Sequence, residues 1–407
     1  VEPLDESASR KYELSIGERL SEKERAAAET ASLDPRKRFL DQTTDSARLL
    51  EAQGYVLFPK LKTSVRTQGL AGAIALQGAD LLDAPFRGGG VHHARRLADH
   101  LEVGEPDLIV TDAIEVAAGG SELTERGSAL YVVLVATNAV AHDATAARIL
   151  GIPPQQVDHV KIASERGYGP LWANEIEHEG DMGVGQTAAY AKAFGPHGAM
   201  PVVDFPKRYE REMRAKVPVE VIAAAPWDAA GAQGAVLDWL YWSYDQPKDV
   251  RRLMQSWPPF SVVVGRFPGK PPEPQHGRVV VVGDAAIEAW GKLGSSKSAT
   301  LVPGDPPGVR ELVLGFARAT GVRPPLAEVF APGFMARLAR FFGPRSPAAP
   351  PPAEPAKAAD IERLKRRKGI RDGSIVEEPE PESDAAAAGA APGEDTADEP
   401  PAEAKTA

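Results

Sequence analysis

The sequence predicts an α/β protein in two halves, with mixed or mostly parallel sheets flanked by helices and a disordered C-terminal tail. Three observations lead there. Short valine-rich runs alternate with helix-like stretches of roughly 10–15 residues, the pattern of a sheet buried between helices. The 407 residues are 43% hydrophobic, enough for about two globular units of roughly 100–200 residues each. Beyond residue 343 the apolar pattern stops: six prolines fall between 344 and 355, and an Ala/Pro/Glu stretch follows. Such a segment has too little to bury to offset its ordering entropy.

In chain order, residues 1–40 read as a charged, solvated helical arm, rich in Glu, Lys, Arg and Ala from 12 to 30. The first α/β half spans 41–180. A helix ending at Gly54 leads into a short strand at 55–58, and helices are expected at 69–79 and 93–101. The clearest strands of this half are 107–114 and 129–137. A helix over 138–151 has Asn138 as its cap and Gly151 as its stop, and a further helix covers 154–166. Residues 181–217 form a connecting segment. The second half, 218–343, offers strands at 219–223, 260–264 and 278–282. Helices are expected at 229–244, 285–293 and 309–320. Residues 344–407 form a Pro-rich, then basic, then acidic tail.

Charge narrows the function. The 47 basic and 57 acidic residues give a net of −10, and residues 372–407 alone hold 11 acids and one base. The rest of the chain is formally neutral, which makes nucleic acid an unlikely partner. Residues 361–371 carry six bases against one acid, a block read as solvated and neutralised by the neighbouring acids. The absence of cysteine excludes disulfides, thiol catalysis and a Cys-ligated iron–sulfur cluster in this chain. The longest apolar run, residues 129–136, falls far short of the roughly 20 residues a membrane span needs. The first residues have no signal-peptide pattern, and the chain starts without Met. A cytoplasmic location is the expectation.

Six residues are candidates for chemistry. Asp112 lies on a strand apolar on both faces, where a carboxylate needs a partner, a proton or a metal. It also sits toward the strand's C-terminal end, where α/β sheets hold ligands. Asp143 shares a helix face with Ala146, Ala147 and Leu150, so it points to the core near the helix start. His142, about 100° away on the same helix, is expected at the surface. His92 and His93 follow the Gly88–Gly90 run. Adjacent residues cannot both serve one ligand, so at most one would join Asp112 and Asp143 in a mixed site for a divalent metal. Lys62 and Thr63 follow a strand end, suiting a phosphate or carboxylate; a solvated basic loop is the plainer reading. Asp284 is expected to cap its helix, and the loop 303–308 to form a turn. No phosphate-binding glycine loop and no nucleophile elbow is present.

These segments together resemble the family known as domain of unknown function 362. The residues that carry the likeness are the strand end 58–63, the His92-His93 pair, and the strand 106–114. The most specific are residues 136–151, with 163–169 after them. The likeness is good over 47–180 and looser over 219–326. The family commonly has Lys-Thr-His where Lys62, Thr63 and Ser64 stand, Asp-Pro-Val-Ala at 138–141, and Cys at the position of Asp305. Its usual N-terminal α/β segment is missing ahead of the arm, as in a truncated start. Some relatives are joined to iron–sulfur modules, which implies redox association and a redox protein partner.

The first expectation is therefore a cytoplasmic protein binding a metal or small anionic ligand through Lys62, Thr63, Asp112, Asp143 and His92 or His93. It would be associated with redox or cofactor metabolism, with catalysis left open. The alternative is a non-catalytic scaffold or assembly protein with a degenerate site and a tethering tail whose partner is unknown.

Overall fold

The computed structural model describes residues 9–26, 33–64, 67, 69–76, 92–118, 126–193, 202–207, 210, 218–224, 230–244, 258–267, 269–293, 298–304, 307–321 and 354–371. It is an α/β protein with three sheets.

The N-terminal arm is not a solvated helix. β1 (Ser9–Glu13) pairs antiparallel with β2 (Gln42–Ser46). Arg10, Tyr12 and Leu14 are buried and alternate with exposed Lys11, Glu13 and Ser15, the period of a strand. The abundance of Glu, Lys and Ala hid this period. Only α1 (Glu22–Ala26) is helical in the described part of the arm, closed by a reciprocal Ser21–Glu24 capping box.

What holds the arm is the polar side of α3 (His93–Gly104). Glu102 accepts from the backbone N–H groups of Ser15 and Ile16 at 2.8 and 2.9 Å. Asp99 accepts from those of Phe39 and Leu40, both at 2.8 Å. Arg95 donates to the carbonyls of Leu33, Asp34 and Lys37. Arg166 ion-pairs with Asp99 and donates to the Pro35 and Lys37 carbonyls. Buried backbone groups thus find side-chain partners.

The expected tail is narrowed as well. Within it, β11 (Glu354–Pro355) pairs parallel with β1, and Ala358–Arg371 forms a helix, α10. Leu364 of α10 joins Tyr12, Leu14 and Val103 in a cluster with Leu50 of α2 (Ala47–Glu51). Arg10 bridges Asp360 and Glu51. The basic block is helical because Ile361 and Leu364 give it an apolar edge to dock.

The second sheet contains β3 (Val56–Leu57), β4 (Lys60–Lys62), β5 (Leu108–Ala118) and β6 (Arg126–Ala136). β3 and β4 pair parallel with β5, one after the other, and β6 pairs antiparallel with it. One face packs against α3, α4 (Ala139–Ile149) and α5 (Asp158–Glu165) through Ile109, Ala113, Leu97, Leu101, Val140 and Val160. Asn138 caps α4, its Oδ1 accepting from the Ala141 N–H at 2.9 Å, and Gly151 follows at φ +71°. The helix expected at 69–79 is a short 3-10 turn at Ile74–Leu76, with 77–79 outside the described residues. The helix expected at 154–166 divides into a 3-10 turn, Pro154–Gln156, and α5. The connecting segment contains α6 (Val184–Ala193).

The third sheet is wholly parallel, in the order β10 (Ala299–Val302), β9 (Val279–Val282), β8 (Phe260–Val264), β7 (Val219–Ala223). Every residue of β8 and β9 is buried. On one face Trp239 of α7 (Ala230–Tyr244) stacks on Phe316 of α9 (Val309–Thr320) at 3.8 Å, and Phe260 meets both edge-on. The other face packs Val263 and Val281 against Ala286 of α8 (Asp284–Leu293). β10 was not foreseen: it is four residues long, Ala-Thr-Leu-Val, and only Val302 is fully buried. Asp284 does not cap its own helix: its carboxylate accepts from the Gly304 N–H at 2.8 Å, tying the β9 turn to β10. Asp305 lies outside the described residues.

Candidate functional site

The covered face of the second sheet holds a buried polar chain. His142 Nδ1 donates to Asp143 at 2.7 Å, and His142 Nε2 lies 2.7 Å from the Thr111 hydroxyl. Asp143 also accepts from the N–H groups of Ala73 and Ile74 at 2.7 and 3.0 Å. With Nδ1 protonated and donating, Nε2 is left to accept the Thr111 proton. The sequence placed Asp143 correctly on the core side. His142, expected at the surface, is buried, because α4 is covered on both flanks. A Cβ on Gly72 would overlap the Asp143 carboxylate, so glycine is needed there for the turn to approach. Hydroxyl, imidazole and carboxylate are aligned as in a proton relay, but Thr111 and Asp143 have no exposed surface. In this closed setting the chain of bonds fixes the 72–74 turn to β5 and α4.

Lys62 and Thr63 lie beside the same turn. The Lys62 carbonyl accepts from the Ala71 N–H at 3.0 Å, and the Thr63 N–H donates to Ala117 at 3.0 Å. Thr63 and Ser64 are buried within the fold. Lys62 is half-buried and makes no ion pair among the described residues.

The other candidates do not converge on this place. His92 precedes α3, stacks on Phe39 at 4.6 Å and bonds the Arg25 carbonyl through Nε2 at 3.1 Å. Burial lowers its affinity for a proton. His93 is buried and engaged within the fold. Asp112 is on the opposite face of the sheet, half exposed and paired with Lys60 at 2.8 Å. Lys60, with the Ile114 N–H, holds its carboxyl below the ordinary range. The expected His/Asp metal set therefore does not fit a metal. No group of three or more His, Asp or Glu side chains among the described residues is arranged to hold one.

Asp112 lies within a larger exposed feature of the sheet. The strand was expected to be buried on both faces, but the described elements cover only one. The other presents Val56, Phe58, Ile114, Tyr131, Val133 and Val135, exposed between 44% and 73%. Lys60 and Asp112 form the one ion pair described on this face. At its middle, β5 and β6 lose register between Ala113 and Glu115, and Leu130–Tyr131 stand opposite one residue. Tyr131 adopts φ +56°, and no other described non-glycine residue has positive φ. A bulge of this kind usually places glycine in the left-handed position. An aromatic residue there costs on the order of 1–2 kcal/mol, yet it keeps its ring 73% exposed.

His159 on α5 is a second residue that sequence reasoning missed. It is fully buried, and neither ring nitrogen has a hydrogen-bond partner. Desolvation lowers its pKa to about 4, against the opposing pull of Asp143. The alternation of β6 was the signal available for the open face. Nothing in the residues around 159 distinguishes a buried histidine.

Compared with known proteins, the chain matches no family model, no curated protein and no solved structure.

Proposed function

We propose that this chain is a non-catalytic interaction or assembly protein whose working surface is the open face of the second sheet. One observation carries the reading: a strand pattern made for burial on both sides has only one side covered by the described elements. Contiguous apolar surface of this size marks interaction sites in soluble proteins. The strained, exposed Tyr131 at its centre supports the same reading, since backbone strain collects where function requires it. Of the residues that suggested chemistry, Asp143, Asp112 and His92 are meanwhile bonded within the fold, as the alternative of a degenerate site expects.

The test is the double substitution Val133→Lys with Val135→Lys. On a face open to water it should change folding stability by about 0.5 kcal/mol per site or less and abolish association. If the face belongs to the chain's own core, two buried lysines would cost several kcal/mol, and chemical denaturation would show it.

A second reading has one observation behind it. Lys62, without an ion pair among the described residues and next in the chain to two buried hydroxyl residues, suits a small anion such as phosphate. Calorimetric titration with phosphate should then give heat that Lys62→Ala removes; equal heats from both proteins would reject it. The divalent-metal reading has no geometry behind it and is not carried further. Membership of the domain of unknown function 362 family and its redox association belong to this proposal, resting on the motifs quoted above, and a cytoplasmic location belongs to it as the expectation for a sequence whose first residues have no signal-peptide pattern. No described helix is long and apolar enough to cross a membrane.

A further inference from the structure

We propose that the outer edge of β6 takes up an extended segment of a partner protein as a further strand, paired antiparallel. This inference rests on the interaction-surface reading and names the kind of partner that binds beside the open face.

The hydrogen bonds of β5 fix which way β6 points. The N–H groups of Leu108 and Asp112 donate to the carbonyls of Tyr55 and Pro59, at 3.3 and 2.9 Å, on the side of β3 and β4. Successive residues of a strand direct their backbone groups to opposite sides, so Ile109, Thr111 and Ala113 are the residues that bond β6. They stand opposite Ala136, Leu134 and Val132. Val133 and Val135, opposite Asp112 and Val110, therefore turn their N–H and C=O groups outward. These groups find no hydrogen-bond partner among the described residues, and no described strand lies beyond β6.

Natural edges are usually blunted by charges, prolines, short length or covering segments. Residues 127–136 contain no Asp, Glu, Lys, Arg or Pro, and the strand is 11 residues long. Its one protective device among the described residues is the bulge at Leu130–Tyr131, which leaves Val132–Ala136 as a straight run.

This edge selects its partner. Each of the two valines offers one donor and one acceptor, in a row with the residues about 7 Å apart. A helix has its backbone groups bonded internally and cannot answer such a row. An antiparallel strand does, with one residue bonding both groups of Val133 and another both groups of Val135. The uncharged edge has nothing to pair with a charged segment. The side chains of Val133 and Val135, 53% and 64% exposed, favour β-branched or aromatic neighbours across the strands. The partner segment is thus extended and uncharged, with such residues at alternate positions, and binds by strand addition. The added strand lengthens the sheet and leaves its open face uncovered; it anchors the partner at the rim of that face.

The experiment is amide hydrogen exchange on the full chain, read residue by residue, with and without a capped peptide of alternating Thr and Val flanked by Lys. In the free chain the amides of Val133 and Val135 should exchange roughly tenfold or more faster than those of Val132 and Leu134, and the peptide should slow them by a similar factor. Val135→Pro removes only an outward N–H, where an edge strand tolerates proline. That variant should stay folded and bind the peptide roughly tenfold more weakly. Val133 and Val135 amides already protected in dilute free protein would overturn the proposal, as would amides that the peptide leaves unchanged or equal binding by Val135→Pro. Slowing that comes with protein concentration alone, and not with the peptide, would give the edge to a second copy and overturn it likewise. If Val135→Pro fails to fold, exchange at the two valines in wild type decides alone. A negative result beside a stable Val133→Lys, Val135→Lys protein excludes only the strand partner. If those lysines unfold the protein, the interaction-surface reading itself fails.

Discussion

Three side chains show how burial decides what a residue does. Asp143 looks like a catalytic carboxylate in sequence, yet its oxygens are taken by two backbone N–H groups and His142. Asp143→Ala should cost about 3–5 kcal/mol, because buried donors would lose their partner, and urea unfolding would measure it. His159 is the reverse case, a buried polar group with no partner. Its proton affinity is depressed in the fold, to about 4 from the ordinary 6.5. Above that ordinary value it adds no pH dependence. As pH falls from about 6.5 toward about 4 the unfolded chain takes up a proton that the fold refuses, and stability is lost by a few kcal/mol. His159→Leu should raise stability at neutral pH by about 1–3 kcal/mol and flatten that window; an unchanged slope would contradict it. At Tyr131 the left-handed backbone implies that Tyr131→Gly leaves stability unchanged or raises it by up to about 1 kcal/mol, while weakening association.

At the scale of elements, strands with strong β-branched runs were legible: β7, β8 and β9 lie where valine density put them. Helices with marked ends were legible too, α4 by Asn138 and Gly151, and α9 by Gly321 at φ +73°. β1 was lost because its alternation includes Arg10, whose burial depends on Asp360, 350 residues away. α10 was lost for the same reason from the other side. Long-range ion pairs leave no local periodicity. Of the candidate site, Lys62 and Asp143 both bond the 71–74 turn, a proximity the spacing of the residues does not show, while Asp112 was expected to be buried because apolar alternation cannot say whether a covering layer exists. The latch between α10 and β1 has its own test. Arg10→Ala should cost about 3 kcal/mol, since it strands the Asp360 carboxylate, and should speed hydrogen exchange in residues 358–371. If exchange there is unaltered, the ion pair does not hold the helix.

At the scale of the molecule, the three sheets are covered differently. The parallel sheet of the second half has helices on both faces, and the N-terminal sheet is tied by α3 and α10. Among the described residues, a wide apolar face is presented by the second sheet, where β6 ends the described hydrogen-bond ladder. That face should be solvent-exposed in the isolated chain and covered on association. Hydroxyl-radical footprinting reads this most directly, because Tyr131 and Phe58 are reactive side chains lying on it. Both should label strongly in dilute protein, and both should lose labelling when a partner covers the face. Tyr131 and Phe58 protected in protein that sediments as a monomer would contradict the account.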